Sequence, residues 1–197
     1  MIRLAGAADA EEVAAIYDPV VAQTAISFEE EPPGAAGMER RIVEGSAFAP
    51  WLVDIGGNGR VDGYAYASRH RERAAYRWSV DVAVYVAAGR RGKGVGRALY
   101  TSLIALLRLQ GFCAAHAGIA LPNAASVALH ERMGFAPIGI FPAVGYKLGA
   151  WRDVGWWRLD LREREVPPRP PRATARARED PAWGPALSLG DATRYRS

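Results

Sequence analysis

The sequence is short of several features that define large classes of proteins. Its 197 residues include one cysteine, Cys113, so an intramolecular disulfide is excluded, as is usual in a reducing compartment. No stretch reaches about 18 apolar residues without a charge, so we expect no membrane span. The first residues run into Asp9 and Glu11 and lack the apolar core of a signal peptide. These absences predict a cytoplasmic protein.

Histidine is also scarce, since only His70, His116 and His130 occur. Neither His70 nor His116 stands at metal-ligand spacing from the other or from an acidic residue. We therefore expect no metal site and interpret these two histidines as structural.

The positive charge lies mainly in the C-terminal segment. Residues 162–197 contain eight arginines and five acidic residues, which leaves 17 basic and 16 acidic residues in 1–161. Because the remainder is nearly neutral, we expect no nucleic-acid partner. The same segment holds six of the thirteen prolines and shows no apolar periodicity. We therefore predict one domain over residues 1–161 and a flexible Pro/Arg-rich tail over residues 162–197.

A glycine-rich loop lies between a predicted strand and a predicted helix. Alternating valines over residues 80–86 predict the strand, and apolar residues at helical spacing over residues 98–107 predict the helix. The intervening Gly92-Lys93-Gly94-Val95-Gly96 brings backbone N–H groups and a helix N-terminus to one point, which is a geometry for binding phosphate. Its spacing fits neither a P-loop nor a dinucleotide fingerprint.

Hydrophobic periodicity predicts the element order βααβββαβαββ. The predicted strands are 2–4, 51–55, 61–67, 78–86, 112–119, 135–146 and 151–161, and the helices after the first are 38–44, 95–110 and 124–133. The first helix is expected to start at Asp9, with Glu12 as its capping-box partner, and to end early at Pro19. Three successive strands before the main helix indicate an α+β fold with a mixed central sheet flanked by helices.

The loop and a downstream segment together resemble an acetyltransferase superfamily. Arg91-x-x-Gly94-x-Gly96 resembles the pyrophosphate motif of the GCN5-related N-acetyltransferases, and residues 123–135 resemble their Asn-x-x-Ala/Ser-x-x-Leu-Tyr-Glu-x-x-Gly-Phe frame, with His130 at the tyrosine position. The resemblance implies that superfamily's fold and acetyl-coenzyme A as co-substrate. The implied binding residues are Val84, Tyr85, Val86, Arg91, Gly92, Lys93, Gly94, Val95, Gly96, Arg97, Asn123 and Ser126.

Further segments narrow the resemblance. Thr24 to Pro32, Arg73-Ala-Ala-Tyr76, Leu129-His-Glu131 and Gly145 to Trp151 are similar, in this order, to segments of the phosphinothricin and methionine sulfoximine/sulfone acetyltransferases. This similarity covers roughly residues 2–161. It implies a homodimer that acetylates the α-amino group of a small amino acid analogue. It also implies a substrate pocket lined by Phe28, Arg73 and Tyr76.

Proton transfer requires an acid–base group. The family has a glutamate three residues before Val-Tyr-Val, and this chain has Asp81 there. A substrate ammonium with a pKa of about 9–10 must lose a proton before its nitrogen attacks a thioester. We predict that Asp81 accepts this proton and that His130 shares the relay or protonates the departing thiolate. Direct transfer is expected, because Cys113 begins a predicted interior strand.

Two other functions stay open from the sequence alone. One is N-acetylation of a different amine, such as a protein N-terminus or a polyamine. The other is a non-catalytic coenzyme A-binding module whose basic tail binds a partner. The presence of both Asp81 and His130 disfavours the second, and acetyl-transfer assays over a panel of amines separate all three.

Overall fold

Seven strands form one sheet in the computed structural model, which describes residues 1–193. They are β1 (Ile2–Leu4), β2 (Trp51–Ile55), β3 (Val61–Arg69), β4 (Ser79–Val86), β5 (Ala114–Leu121), β6 (Ala136–Lys147) and β7 (Ala150–Asp160). Their order across the sheet is β1-β2-β3-β4-β5-β7-β6. β4 pairs with β5 in parallel, and the other neighbouring pairs are antiparallel. The predicted mixed sheet is therefore confirmed.

Six α-helices accompany the sheet over the described residues. They are α1 (Ala10–Gln23), α2 (Gly34–Phe48), α3 (Val95–Gln110), α4 (Ala124–Arg132), α5 (Thr174–Ala177) and α6 (Trp183–Thr193). The bounds of α3 are those predicted, because a glycine at positive φ lies at each end: Gly94 at +77° and Gly111 at +95°. Between residues 1 and 193, no helix has the length and apolar character needed to cross a membrane.

The start and end of α1 differ from the prediction. The Asp9 carboxylate does not cap the helix; it accepts two hydrogen bonds from the Arg3 guanidinium, at 2.7 and 2.6 Å. Glu12 accepts a hydrogen bond from the Val61 backbone N–H at 2.7 Å, so no capping box forms. Pro19 lies inside the helix, which continues to Gln23. Tertiary packing outweighs the lost backbone hydrogen bond here, since both valines after Pro19 are buried.

The two faces of the sheet have separate cores. Val80 and Val82 of β4 pack in the cluster that contains α3, whereas Tyr64 and its neighbours pack against α1 and α2. Because successive side chains of a strand point to opposite faces, Asp81 and Tyr85 lie on the α1/α2 face.

β4 and β5 diverge part-way along their length. Their residue pairs are Ser79 with Ala114, Val80 with Ala115, and Asp81 with His116, and the pairing ends there. Each strand continues for five more residues with only its outer edge paired, β4 to β3 and β5 to β7. The result is a fork with two open backbone edges. Asp81 and His116 stand at its vertex, and the glycine loop follows the open end of β4.

The C-terminal segment differs from the flexible tail that we predicted for residues 162–197. Trp183 and Ala186 of α6 are buried in the α3-side core. Ser102 on α3 donates its hydroxyl to the Leu187 carbonyl at 2.6 Å and accepts the Gly190 N–H at 3.0 Å. The contact uses small residues, which leave little amphipathic signal in the sequence. The division of the chain at residue 161 stays a prediction, and residues 194–197 lie outside the described residues.

Candidate active site

The glycine loop has the backbone form that an anion site requires. Gly92 and Gly94 have φ values of +73° and +77°, and a Cβ on either would meet no heavy atom within 4 Å. Gly94 directly precedes α3, whose first N–H groups have no partner within the helix. The predicted basic residues Arg91, Lys93 and Arg97 are all exposed around this point. The loop therefore fits a pyrophosphate at its surface, by backbone donors, the helix dipole and nearby cations.

The first turn of α3 is also where α4 approaches the fork. A Cβ on Gly96 would lie 3.1 Å from the Leu129 side chain and 3.7–3.8 Å from Val86 and Val84. A larger residue here would make ordinary contacts with the strand but would require the Leu129 side chain to shift by a few tenths of an ångström. The predicted binding residue Asn123 caps α4, since its side-chain oxygen accepts the Ser126 N–H at 3.2 Å.

His130 is enclosed on the α3 side of the sheet. Its side chain is buried, the Tyr100 hydroxyl donates to Nε2 at 2.9 Å, and Nδ1–H donates to the Ser126 carbonyl at 2.8 Å. The ring packs edge-on against Phe135 at 5.1 Å. Burial lowers the pKa of His130, so the imidazole is neutral at pH 7. Both ring nitrogens are therefore already engaged.

Asp81 is hydrogen-bonded to a different histidine from the one predicted. Nδ1 of His70, directly after β3, lies 2.6 Å from Oδ1 of Asp81. The two residues that we expected to converge, Asp81 and His130, stand on opposite faces of the sheet layer, because alternation along β4 turns Asp81 away from α3. Burial raises the pKa of Asp81, and the His70 hydrogen bond and the Arg71 charge counteract part of that effect.

His116 completes a cluster at the fork vertex. Its ring stacks on that of His70 with centroids 4.3 Å apart and an angle of 20° between planes. Burial, and then the charges of His70, Arg158 and Arg71, lower the pKa of His116 to about 4. Among residues 1–193, His70, Asp81 and His116 offer donor atoms that all lie within 4.8 Å of one another. Sequence spacing did not reveal that these three groups are adjacent, because strand pairing brings them together. That the two histidines are structural stays a prediction.

The predicted substrate residues lie in two places. Tyr76 is exposed, with its ring centroid 6.0 Å from that of His70, and Arg73 is exposed at the start of the same short turn. Phe28 is 38% exposed and packs on Gly145 of the β6–β7 hairpin. The structure thus brings Tyr76 to the Asp81 cluster and Phe28 to the hairpin.

Lys147 is a residue that the sequence reasoning missed. It is buried, and its ammonium donates to the backbone carbonyls of Val21, Ser27 and Glu29 at 2.7, 2.6 and 2.6 Å. Desolvation by burial lowers the pKa of Lys147, and the charge of Glu29 acts in the opposite direction. The buried lysine thereby fixes the segment that carries Phe28. In the sequence, the only sign of its importance was its position within the Gly145 to Trp151 segment.

A separate cavity of about 850 Å³ lies between the end of α2, β3 and the C-terminal segment. Phe48, Arg69 and Pro171 are among its lining residues, and the Arg69 guanidinium lies 4.4 Å from the Phe48 ring centroid. Neither the glycine loop nor Asp81 lines it, so it is distinct from the fork.

Comparisons with known proteins show the family. The model of the acetyltransferase (GNAT) domain matches residues 2–156. The chain belongs to the GNAT acetyltransferase family. A phosphinothricin N-acetyltransferase of Streptomyces viridochromogenes is 39% identical over 172 residues, which are 87% of this chain and 92% of the relative. An L-methionine sulfoximine/L-methionine sulfone acetyltransferase of Pseudomonas aeruginosa is 38% identical over 81% of this chain and 94% of its own.

A solved GNAT structure is also similar. The phosphinothricin acetyltransferase of Sinorhizobium meliloti in complex with AcCoA superposes with a TM-score of 0.79 at 35% identity, over 86% of this chain and 92% of the other. The GNAT fold and the acetyltransferase class expected from the sequence are therefore confirmed.

Proposed function

We propose that this GNAT enzyme transfers the acetyl group of acetyl-coenzyme A to the α-amino group of a small amino acid analogue of the phosphinothricin or methionine sulfoximine type. The observation that carries the proposal is the fork between β4 and β5, with a carboxylate at its vertex and an anion-binding loop at the open end of β4. Similarity to relatives named for these substrates supports the substrate class.

Acetyl-coenzyme A supplies the acetyl group as a thioester. Its pyrophosphate would bind the loop over residues 91–97, where open space surrounds two glycines at positive φ. Open backbone edges of the fork, including Val84, Tyr85 and Val86, would bind the amide-rich arm and the thioester carbonyl. Asn123 and Ser126 begin the helix that packs across this region, which supports their assignment to the same arm.

Asp81 would accept the proton that the substrate ammonium must lose. It is 29% exposed at the vertex, so it combines access with partial desolvation. His130 stays a candidate for protonating the departing thiolate. Because its imidazole is neutral and hydrogen-bonded at both nitrogens, that role requires one of those bonds to break.

The substrate carboxylate and side chain would be bound by Arg73, Tyr76 and Phe28. Exposed Tyr76 beside the vertex and Phe28 held by the Lys147-anchored segment support this assignment. The Arg73 guanidinium is planar and can donate two parallel N–H hydrogen bonds, which suits a carboxylate or a phosphinate.

We further propose a homodimer in the cytoplasm, where acetyl-coenzyme A is available. The β6–β7 hairpin supports the dimer, because it exposes large apolar side chains: Ile138, Ile140, Phe141, Val144, Tyr146, Leu148 and Trp151. Light scattering of the purified chain, and of a Phe141→Lys/Trp151→Glu variant, tests this part. A monomeric parent protein contradicts it.

An acetyl-transfer assay tests the proposed activity. Coenzyme A release is measured with phosphinothricin, methionine sulfoximine, methionine sulfone, spermidine and an N-terminal peptide. We expect kcat/KM for one of the first three to exceed that for spermidine and the peptide by at least about tenfold. A preference for the peptide or the polyamine would reassign the substrate, and no transfer to any amine would contradict the activity.

A further inference from the structure

The imidazole of His70 occupies the position next to the vertex carboxylate. It follows β3, whose antiparallel pairing with β4 brings it opposite the start of that strand. Its Nδ1 lies 2.6 Å from Oδ1 of Asp81, and both side chains are mostly buried, at 15% and 29% exposed. A short hydrogen bond between an aspartate and Nδ1 fixes the ring orientation and directs Nε2 away from the carboxylate.

The neighbours of His70 hold its ring on several sides. His116 stacks on one face at 4.3 Å, and the rings of Tyr76 and Trp156 meet it edge-on at 6.0 and 6.1 Å. Tyr76 is exposed and belongs to the predicted substrate pocket. His70 therefore lies between that pocket and the fork vertex.

The three donors at the vertex raise the question of a metal ion. A metal binds an imidazole nitrogen in the plane of the ring, so two histidine ligands need ring planes that meet at the ion. The rings of His70 and His116 instead stack with only 20° between their planes. Nδ1 of His70 is already used by Asp81. The geometry therefore favours proton transfer over metal binding.

We propose that His70 and Asp81 form the proton-accepting dyad of this enzyme, in which Nε2 of His70 takes the substrate proton and Asp81 orients and stabilises the imidazole. The proposal rests on the proposed acetyl transfer. The dyad starts as aspartate and neutral imidazole and ends as aspartate and imidazolium. The amine nitrogen forms its C–N bond to the acetyl carbon as the C–S bond breaks. The second proton, which the nitrogen loses after attack, passes to the departing sulfur, so coenzyme A leaves as the thiol. The first proton, which the dyad took from the ammonium, passes to water.

The charges around the dyad are compatible with this step. The charged groups that face it are Arg71, which acts on Asp81 and on the stacked His116 ring, and Arg158, which acts on that ring. His116 stays neutral above about pH 5 because its pKa is about 4. A protonated His70 therefore stacks on an uncharged ring, and like-charge repulsion within the stack is avoided.

Two substitutions separate proton acceptance from simple support of Asp81. His70→Asn keeps an N–H donor near the place of Nδ1 and removes the acceptor at Nε2, whereas His70→Ala removes both. We expect both variants to lose about 10²- to 10⁴-fold in kcat at pH 7.5, with the coenzyme A Kd unchanged by calorimetry. Glu72→Gln, an exposed change in the same loop, is the control and should keep the parental rate.

Two further measurements decide the role of the imidazole. Added imidazole should raise kcat of His70→Ala at least tenfold, and this increase should follow the concentration of the imidazole free base as the pH changes. The double variant His70→Ala/Asp81→Asn should be about as slow as the slower single variant, because the two groups act as a unit. Parental activity of His70→Asn would reduce His70 to a support and overturn the proposal.

The assays distinguish a wrong dyad assignment from a wrong proposed function. If the parent enzyme acetylates its amine and His70→Asn does so equally well between pH 6 and 9, the dyad is wrong and the activity stands. If the parent acetylates no amine, both are wrong. If a chelator abolishes the parental activity and Zn²⁺ restores it, the cluster is a metal site and the dyad is overturned.

Discussion

Gly190 in α6 gives a sharp test of how the C-terminal segment is attached. An ideal Cβ at this position would lie within 3.0 Å of the Ala98 carbonyl oxygen on α3 and 2.5 Å from Cδ1 of Ile2. The carbonyl belongs to the helix backbone and cannot swing aside as a flexible side chain can. Gly190→Ala must therefore push α6 outward, which would partly expose the buried Trp183 of this helix and lengthen the hydrogen bond to the Ser102 hydroxyl.

The magnitude follows from two opposing effects. Overpacking costs about 1–3 kcal/mol, and the upper part of that range, about 2–3 kcal/mol, applies here because the contact is with helix backbone. Alanine in a helix recovers about 1 kcal/mol relative to glycine. The net loss should be about 1–2 kcal/mol, and each kcal/mol shifts Tm by about 2–4 °C for a chain of this size. We therefore expect thermal unfolding to show a Tm lower by about 2–8 °C.

Gly184 in the same helix is a matched control. A Cβ there would meet nothing within 4 Å, so Gly184→Ala should leave Tm unchanged or raise it by a few degrees. If Gly190→Ala melts at or above both the parent and Gly184→Ala, α6 does not dock on α3 in this way.

A chain ending at residue 162 should also be less stable than the full chain, contrary to what a flexible tail predicts.

Three other changes test the site. Gly94→Ala places a side chain in the open loop at a φ of +77° and should weaken coenzyme A binding at least tenfold by calorimetry. Gly89→Ala is the control, because Gly89 has open space around it and no positive φ, and it should not weaken binding. Equal affinities of the two variants would refute the loop assignment. Lys147→Met leaves three carbonyls without their donor and should raise the amine KM more than it lowers kcat, with unchanged KM being the contrary result. Between about pH 4 and 6.5, His116 carries a proton in the unfolded chain but not in the folded one, so the free energy of unfolding should rise with pH. His116→Gln should make this rise smaller in urea titrations at several pH values. An unchanged rise would contradict the lowered pKa of His116.

The parts of the fold that the sequence predicted are those set by local rules. Gly94 precedes α3 and Gly111 follows it, because each adopts a positive φ that other residues avoid. Strand bounds followed from alternation and from the glycine-rich hairpin after β2. The backbone form of the glycine loop could be predicted for the same reason, since it depends on glycines and a helix start that are adjacent in the sequence.

The parts that escaped prediction depend on tertiary context. Pro19 does not end α1, because buried neighbours on both sides hold the helix together. Docking of α6 depends on Gly190 and Ser102, a small residue and a single hydroxyl, which give no periodic signal. The vertex cluster needs the sheet order, because His70 follows β3 and His116 lies on β5, and only the placement of both strands beside β4 brings the rings together.

The position of Asp81 at the vertex supports the proposal of a proton acceptor there. Asp81 belongs to the last residue pair between β4 and β5, and its carboxylate is partly desolvated there. Desolvation disfavours net charge, and the resting pair of aspartate and neutral imidazole carries one negative charge. When Nε2 of His70 takes a proton, the pair becomes an aspartate–imidazolium with no net charge. A buried vertex therefore favours the neutral ion pair over the net anion, and the neutral His116 adds no charge to the pair.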